Sequence, residues 1–270
     1  MAIYHCSIRI IGRSKGRSAV AYAAYCSGTK LYDKEVRKAY NYTGQNSVVH
    51  SEIDLPQNAP SEFYDREKLW NAVHEIETRS NAQLAREVEV ALPHEFTRQE
   101  QIDTVREYVM NNFVCKGMCA DWGIHDKEDG NPYAHILLTL RGFKPNGEWA
   151  SKSKTIYVLD ENGEKIPVID PTTEQQKIGA RGRRMWQRET VQANDWNDRS
   201  KVEEWRAAWA KECNKRLDQQ HQIDHRSYDR QEVDKASTIH EGHVARKIER
   251  EGQVSDRCEI NREIRELNEQ

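Results

Sequence analysis

Two widely separated stretches alternate strictly between apolar and polar side chains, and this period of two constrains the fold more than any other feature. In residues 3–11, Tyr4, Cys6, Ile8 and Ile10 fall on one face, and His5, Ser7 and Arg9 on the other. In residues 85–92, Val88, Val90 and Leu92 face one way and Glu87 and Glu89 the other, until Pro93 ends the run. A third strand region follows from the turn signal DKEDGN. There Asp129-Gly130 separates a strand at 119–125 from one running from Tyr133 to Arg141. Strands written this way build a sheet that buries one face under helices and leaves the other polar, as a platform for a ligand.

The spacing between these strands predicts helices. Ser18 to Cys26 is alanine-rich and stopped by Gly28. Pro60 opens a helix with Leu69, Trp70, Val73 and Ile76 at core spacing. Thr97-x-x-Glu100 is a capping box for a helix carrying Ile102, Val105 and Val109. From Asp198 a helix carries Trp205, Trp209, Cys213 and Leu217 at four-residue steps. Residues 32–50 read as a loop or irregular excursion, and 142–195 as a mixed segment with a small hairpin around Asp160–Gly163. The core order is β–α–α–β–α–β–β, an α+β fold. The chain after Ser227 is charged and helical with little core, and its His240 and His243 are read as having no ligand. It ends in NREIRELNEQ without a stop signal, so it is expected to continue in a longer protein.

Composition bounds the partners. Of the 270 residues 37% are hydrophobic, enough for a core, and the net charge of −3 excludes a uniformly basic nucleic-acid binder. The distribution is uneven, with eight Lys/Arg against two acids among residues 1–50. Lys177, Arg181, Arg183, Arg184 and Arg188 fall within 177–188, where there is no acid. Such patches leave a local phosphate-binding footprint. Arg13, Lys15 and Arg17 beside the first strand, and the 177–188 stretch, are candidate phosphate contacts, with Trp186 placed to stack on a single strand. No apolar run approaches a membrane span, and the alternating N-terminus is not a signal peptide. Six scattered cysteines in a chain of this size read as reduced thiols of a cytoplasmic protein. Cys115-x₃-Cys119 with His125 lacks the fourth ligand of a structural zinc site.

Polar residues on strands carry the chemistry. They are His5 on the first, Glu87 and Glu89 on the middle one, and His125 with His135 on the hairpin. His135 shares a face with Tyr133 and Leu137, and the turn brings His125 back opposite that strand. A lone strand histidine is most simply a hydrogen-bonded residue. Two imidazoles on adjacent strands with a neighbouring carboxylate pair point instead to a divalent-metal site. Tyr22 and Tyr25 lie three apart on one helical face, which by itself is ordinary amphipathic packing.

Six blocks, in order, carry a resemblance: MAIYHCSIRIIGRSKGRSAVAYAAYCSG, SEIDLPQNAP, REKLWNAVHEIETRSNAQLAREVEVALPHE, KGMCADWGIHDKEDGNPYAHILLTLR, DWNDRSKVEEWRAAWA and IDHRSYDRQ. Together they resemble the MobA/MobL family of plasmid relaxases, most of all the Gram-positive branch that includes the staphylococcal nicking enzyme. The resemblance implies an HUH-endonuclease fold over residues 1–225, with a central antiparallel sheet, helices packed on one face and the active site on the other. Residues 226–270 would be a charged helical C-terminal extension, the start of a further region. By position Tyr25 matches the nucleophile, with Tyr22 one turn early. The implied reaction is transesterification at the plasmid transfer origin, leaving a 5′-phosphotyrosyl link and starting conjugative mobilisation. Mn²⁺ or Mg²⁺ would polarise the phosphate, and Glu87 or Glu89 would accept the phenolic proton.

The implied partners are single-stranded and hairpin DNA at that origin and the coupling protein of a conjugative secretion system. The protein would act as a monomer on DNA in the bacterial cytoplasm. Its DNA contacts would be His5, Arg9, Arg13, Lys15, Arg17, Arg181, Arg183 and Arg184. One departure matters. The family pattern Asn-Pro-His-x-His reads here Asn131-Pro132-Tyr133-Ala134-His135. The metal set is then His125, His135, Tyr133 and Asp126, with Glu128 or water as other ways to complete the shell, and weak affinity is expected. Two other readings follow: an origin-hairpin DNA-binding protein with impaired cleavage, and a metal-dependent hydrolase without a covalent intermediate.

Overall fold

A computed structural model describes residues 4–127, 130–239 and 241–269. Residue 3 of the first expected strand, Glu128, Asp129 and His240 lie outside the described residues. The chain divides into two compact units, Met1–Ile223 and Asp224–Gln270.

The first unit opens with β1 (Cys6–Gly12) and α1 (Ala19–Ser27). Ser18 Oγ caps α1 by accepting from the Ala21 amide at 3.1 Å, and Gly28 ends it in the left-handed conformation at φ 64°. The segment read as irregular instead holds three strands: β2 (Lys30–Asp33) and β3 (Lys38–Asn41), paired as a hairpin, and β4 (Val48–Asp54). The outward lysines and the tyrosines of the four-residue strands β2 and β3 obscure the alternation that marks longer strands. α2 runs Arg66–Ile76, starting later than Pro60 predicts because Asp65 accepts from the Glu67 and Lys68 amides and sets the N-terminus there. Ile76, expected in the core, is exposed. β5 (Gln83–Ala91) leads to α3 (Arg98–Asn112), whose Thr97–Glu100 capping box forms as expected. The hairpin β6 (Ala120–His125) and β7 (Tyr133–Leu138) follows.

Residues 153–192 form an arm, a ribbon of β8 (Ser153–Tyr157) and β9 (Arg188–Gln192) with short bridged turns beyond it, one of them at Asp160–Gly163. α4 (Ser200–Asn214) closes the unit. The second unit holds α5 (Tyr228–Gln231), α6 (Gly242–Arg250) and α7 (Asp256–Glu269), and asparagine amides tie α7 to the segment between α5 and α6. Asn261 and Asn268 of α7 each bond both backbone groups of one residue, Ile239 and Ala236 respectively.

One antiparallel sheet organises the first unit, in the order β1-β5-β7-β6-β4. On one face Val88, Val90, Trp122, Ile124 and Ile136 pack beneath α3 and α4, where Trp205, Trp209, Tyr108 and Phe113 fill the space. Tyr108 satisfies its hydroxyl by donating to the Trp205 carbonyl at 2.9 Å. On the other face α1 and α2 cover Ile11, Ala85 and Leu137. The remainder of that face holds the polar residues.

Candidate active site

Strand register assembles the site. Arg9 stands opposite Glu87 in the β1–β5 pair, Glu89 opposite His135 in β5–β7, and His135 opposite Gly123 in β7–β6. Residues opposite one another share a face, so five strand positions converge on one patch. His135 Nδ1 donates to Glu87 Oε1 at 2.7 Å. Both residues are buried, and among the described residues His135 Nε2 and Glu87 Oε2 have no hydrogen-bond partner, Arg9 Nη1 lying 3.9 Å from Glu87 Oε2. Glu89 Oε2 lies 3.8 Å from His135 Nδ1. Its Oε1 meets His5 Nε2 at 3.2 Å and Arg9 Nη2 at 3.5 Å. The His5 hydrogen bond, helped by Arg9, holds the Glu89 carboxyl below the usual range against the opposing effect of burial.

Glu87, Glu89 and His135 each offer a ligand atom, all within 4.8 Å of one another. Two carboxylates and one imidazole make a donor set suited to Mg²⁺ or Mn²⁺. Unpartnered buried acceptors are costly unless a donor or cation satisfies them. A histidine that gives its second N–H to a carboxylate is held as metal-bound histidines are held. These residues therefore fit a divalent cation.

The tyrosine is brought in by backbone contact. A Cβ at Gly123 would fall 2.1 Å from the Cys26 carbonyl oxygen, so the last turn of α1 rests directly on β6. His125 Nε2 donates to that same carbonyl at 2.9 Å, and its Nδ1 accepts from Gln45 Nε2 at 3.3 Å. Both ring nitrogens are thus engaged, and burial pushes the imidazole down to about 4. Tyr25 then stands with its ring centroid 5.4 Å from both His125 and His135, and Tyr42 meets it edge-on at 5.6 Å. Burial, followed by the hydrogen-bonded Tyr133 phenol, pushes the Tyr25 hydroxyl above the ordinary range, with Lys127 opposing. Tyr22 is also raised, by burial and then by the Glu87 charge, with Arg17 and Arg9 opposing.

The expected residues are distributed unevenly. Glu87, Glu89 and His135 form the cluster, and Tyr133 packs its ring 5.2 Å from His135 and 5.4 Å from His125. His125 serves the α1 backbone, and Asp126 is held by Arg98 at the start of α3. His5 and Arg9 rim the site. Arg13 is drawn inward to Glu35 and to the His74 and Glu77 carbonyls. Lys15 and Arg17 are exposed in the turn before α1, and Arg181, Arg183 and Arg184 are exposed on the arm. Sequence reasoning missed Gly123, Gln45 and Tyr42. Of these only Gly123 left a signal, since a glycine inside a strand marks close backbone approach.

Comparison with known proteins follows the same lines. The MobA/MobL family profile matches residues 17–251. The probable mobilization protein MobA of Bifidobacterium longum is 44% identical over 99% of this chain and 48% of its own length. A conjugal transfer protein TraA of Agrobacterium fabrum is 34% identical over 99% of this chain and 24% of its own length. The chain thus spans about half the length, or less, of these curated relatives. A solved structure described as the molecular basis of vancomycin resistance transfer in Staphylococcus aureus is 31% identical, with a TM-score of 0.66 over 84% of this chain and 100% of that one. Among the described residues no helix is long and apolar enough to cross a membrane.

Proposed function

The chain belongs to the MobA/MobL family, and from that premise we propose that it is a relaxase that nicks one strand of plasmid DNA at the origin of transfer with Tyr25. The observation that carries this reading is the seating of Tyr25 against His135, itself part of the Glu87–Glu89–His135 cluster. A tyrosine beside a cation site is the pairing that phosphodiester transesterification needs.

Glu87, Glu89 and His135 would hold the cation. When bound, it supplies Lewis-acid polarisation of the scissile phosphate. The Tyr25 oxygen forms a bond to phosphorus and the bond from phosphorus to the 3′ oxygen breaks. That oxygen takes up a proton from water as it leaves, giving a free 3′-hydroxyl, and the strand stays on Tyr25 through its 5′ phosphate. Glu87 or Glu89 would accept the phenolic proton, which is held tightly because Tyr25 is buried beside Tyr133. Arg9 presents positive charge, and His5 an imidazole, at the rim, where the DNA phosphates would lie. Arg181, Arg183 and Arg184 add contacts from the arm. His125 keeps the nucleophile's helix in place through the Cys26 carbonyl.

The test is incubation with a labelled single-stranded oligonucleotide carrying the transfer origin and Mn²⁺, followed by SDS electrophoresis. An SDS-resistant adduct that disappears in Tyr25→Phe is expected. Retarded DNA without adduct would favour a binding protein, and free nicked DNA without adduct a metal-dependent hydrolase.

A further inference from the structure

The cations concentrated in residues 1–50 do not stay together when the chain folds. Arg9 reaches the carboxylate site and Arg13 turns inward to Glu35. Four others, Lys30, Lys34, Arg37 and Lys38, belong to the β2–β3 hairpin, and all four are exposed. The two acids of that hairpin are committed elsewhere. Asp33 is fully buried and accepts from Ser18 Oγ at 2.6 Å and from the Glu35 amide at 3.0 Å. Glu35 takes Arg13 and, at 2.8 Å, His74 Nδ1. Among the described residues none of the four cations has a carboxylate partner within 4.0 Å. Asp33 is buried and Glu35, itself exposed, is taken by Arg13 and His74, so the four solvent-facing cations are not compensated within the hairpin and leave a local positive field suited to a polyanion.

Its position ties it to the tyrosine. β2 begins at Lys30, just past the Gly28 cap of α1, and β3 ends at Asn41, directly opposite Lys30. The next residue, Tyr42, packs edge-on against Tyr25 at 5.6 Å. The cationic hairpin therefore starts beside the nucleophile and leads away from it, with Lys30 and Tyr32 on one face and Lys38 and Tyr40 on the other. It also carries aromatic surface, with Tyr32 exposed and Tyr40 half-buried beneath Lys38 at 5.1 Å. Cations interleaved with tyrosines are what a flexible, unpaired strand uses, phosphates on the charges and bases on the rings.

We propose that the β2–β3 hairpin is a phosphate track that grips the single-stranded DNA running into Tyr25. This rests on reading the Tyr25 site as the cleavage centre. The track is read by the salt dependence of binding, independently of cleavage. The full chain and its variant K30Q/K34Q/R37Q/K38Q are titrated by fluorescence anisotropy into a labelled single-stranded origin oligonucleotide across a range of salt concentrations. Each phosphate contact contributes about 0.7 to the slope of log K against log salt on a single strand, so losing four lowers the slope by about 2–3. The charge-conserving variant K30R/K34R/R37K/K38R should retain the slope, and calorimetric Mn²⁺ affinity and Tm should be unchanged in both.

An unchanged slope in the glutamine variant overturns the track, and so does a wild-type chain that does not bind the oligonucleotide. A slope lost equally in the charge-conserving variant overturns it as well, because charge would not be the cause. If the glutamine variant loses slope while the wild type yields no Tyr25-dependent adduct, the track stands and the cleavage reading fails. If both chains yield the adduct at saturating DNA and their slopes agree, the cleavage reading stands and the track fails.

Discussion

His135 donates from Nδ1 to Glu87 Oε1 across 2.7 Å, and among the described residues neither its buried Nε2 nor Glu87 Oε2 has a hydrogen-bond partner. Glu87 thus has two tasks, orienting the imidazole through Oε1 and offering Oε2 beside it. Glu87→Ala should weaken Mn²⁺ binding by about 10–100-fold or more, the range seen when a carboxylate supporting a metal-bound histidine is lost. Titration calorimetry measures it, and unchanged affinity would remove Glu87 from the centre.

Tyr133 occupies the place where the family pattern has histidine, and it hydrogen-bonds Tyr25. Tyr133→His adds an imidazole 5.2 Å, ring to ring, from His135. Mn²⁺ affinity should rise by about tenfold, roughly the effect of one added hydrogen-bonding or ligand interaction. Calorimetry that finds the same affinity in both chains would show that position 133 does not face the ion.

Gly123 has no room for a methyl group, since a Cβ would fall 2.1 Å from the Cys26 carbonyl oxygen. Gly123→Ala should cost about 1–3 kcal/mol in denaturant unfolding, the usual penalty for overpacking. It should also abolish the Tyr25 adduct while leaving Mn²⁺ affinity intact. Wild-type adduct yield in this variant would show that α1 can shift without losing the reaction.

Arg13 was expected to touch DNA, yet its guanidinium bonds Glu35 and the carbonyls of His74 and Glu77 at the end of α2. Arg13→Gln should lower stability by about 1–3 kcal/mol, since hydrogen bonds to a charged group are lost. DNA affinity at fixed salt should stay within about twofold, because no phosphate contact is removed. A large loss of affinity with unaltered stability would return Arg13 to the DNA surface.

His125 is fully buried, and its imidazole is pushed down to about 4 by burial. A histidine with a depressed folded value contributes stability that is complete above the unfolded value, about 6.5, and is lost as pH falls through the folded value. With metal removed by chelator, stability should therefore fall between pH 6.5 and 4. His125→Gln keeps an N–H for the Cys26 carbonyl but does not titrate. Its unfolding free energy should lack that part of the pH dependence, and identical profiles for the two chains would contradict the assignment.

Much of this was readable from periodicity. Alternation assigned Tyr133, His135 and Leu137 to one face and separated Glu87 and Glu89 from Val88 and Val90, because strand geometry leaves no other choice. Register was not readable. That Glu89 meets His135 while Gly123 sits beneath Cys26 depends on pairings between distant strands. Asp126 follows His125 in sequence, but it lies past the end of β6, where Arg98 takes it. Charge counting found the basic N-terminal region but could not say that Arg13 would turn inward while Lys30 and Lys34 stayed in water. Only the folded partners, Glu35 and the α2 carbonyls, decide that.

The contact of Cys26 with Gly123 also has a mechanical meaning. If Tyr25 is the nucleophile as proposed, a DNA strand held on it would pull on α1. That load passes through main chain resting on main chain into β6, a strand flanked on both sides within the sheet. The His125 side chain, bonded to the Cys26 carbonyl at 2.9 Å, ties the same turn of α1 to β6. A pull on the strand is then resisted by the hydrogen-bond ladders of β4, β6 and β7 acting together, so the attachment point should yield only when the sheet itself does.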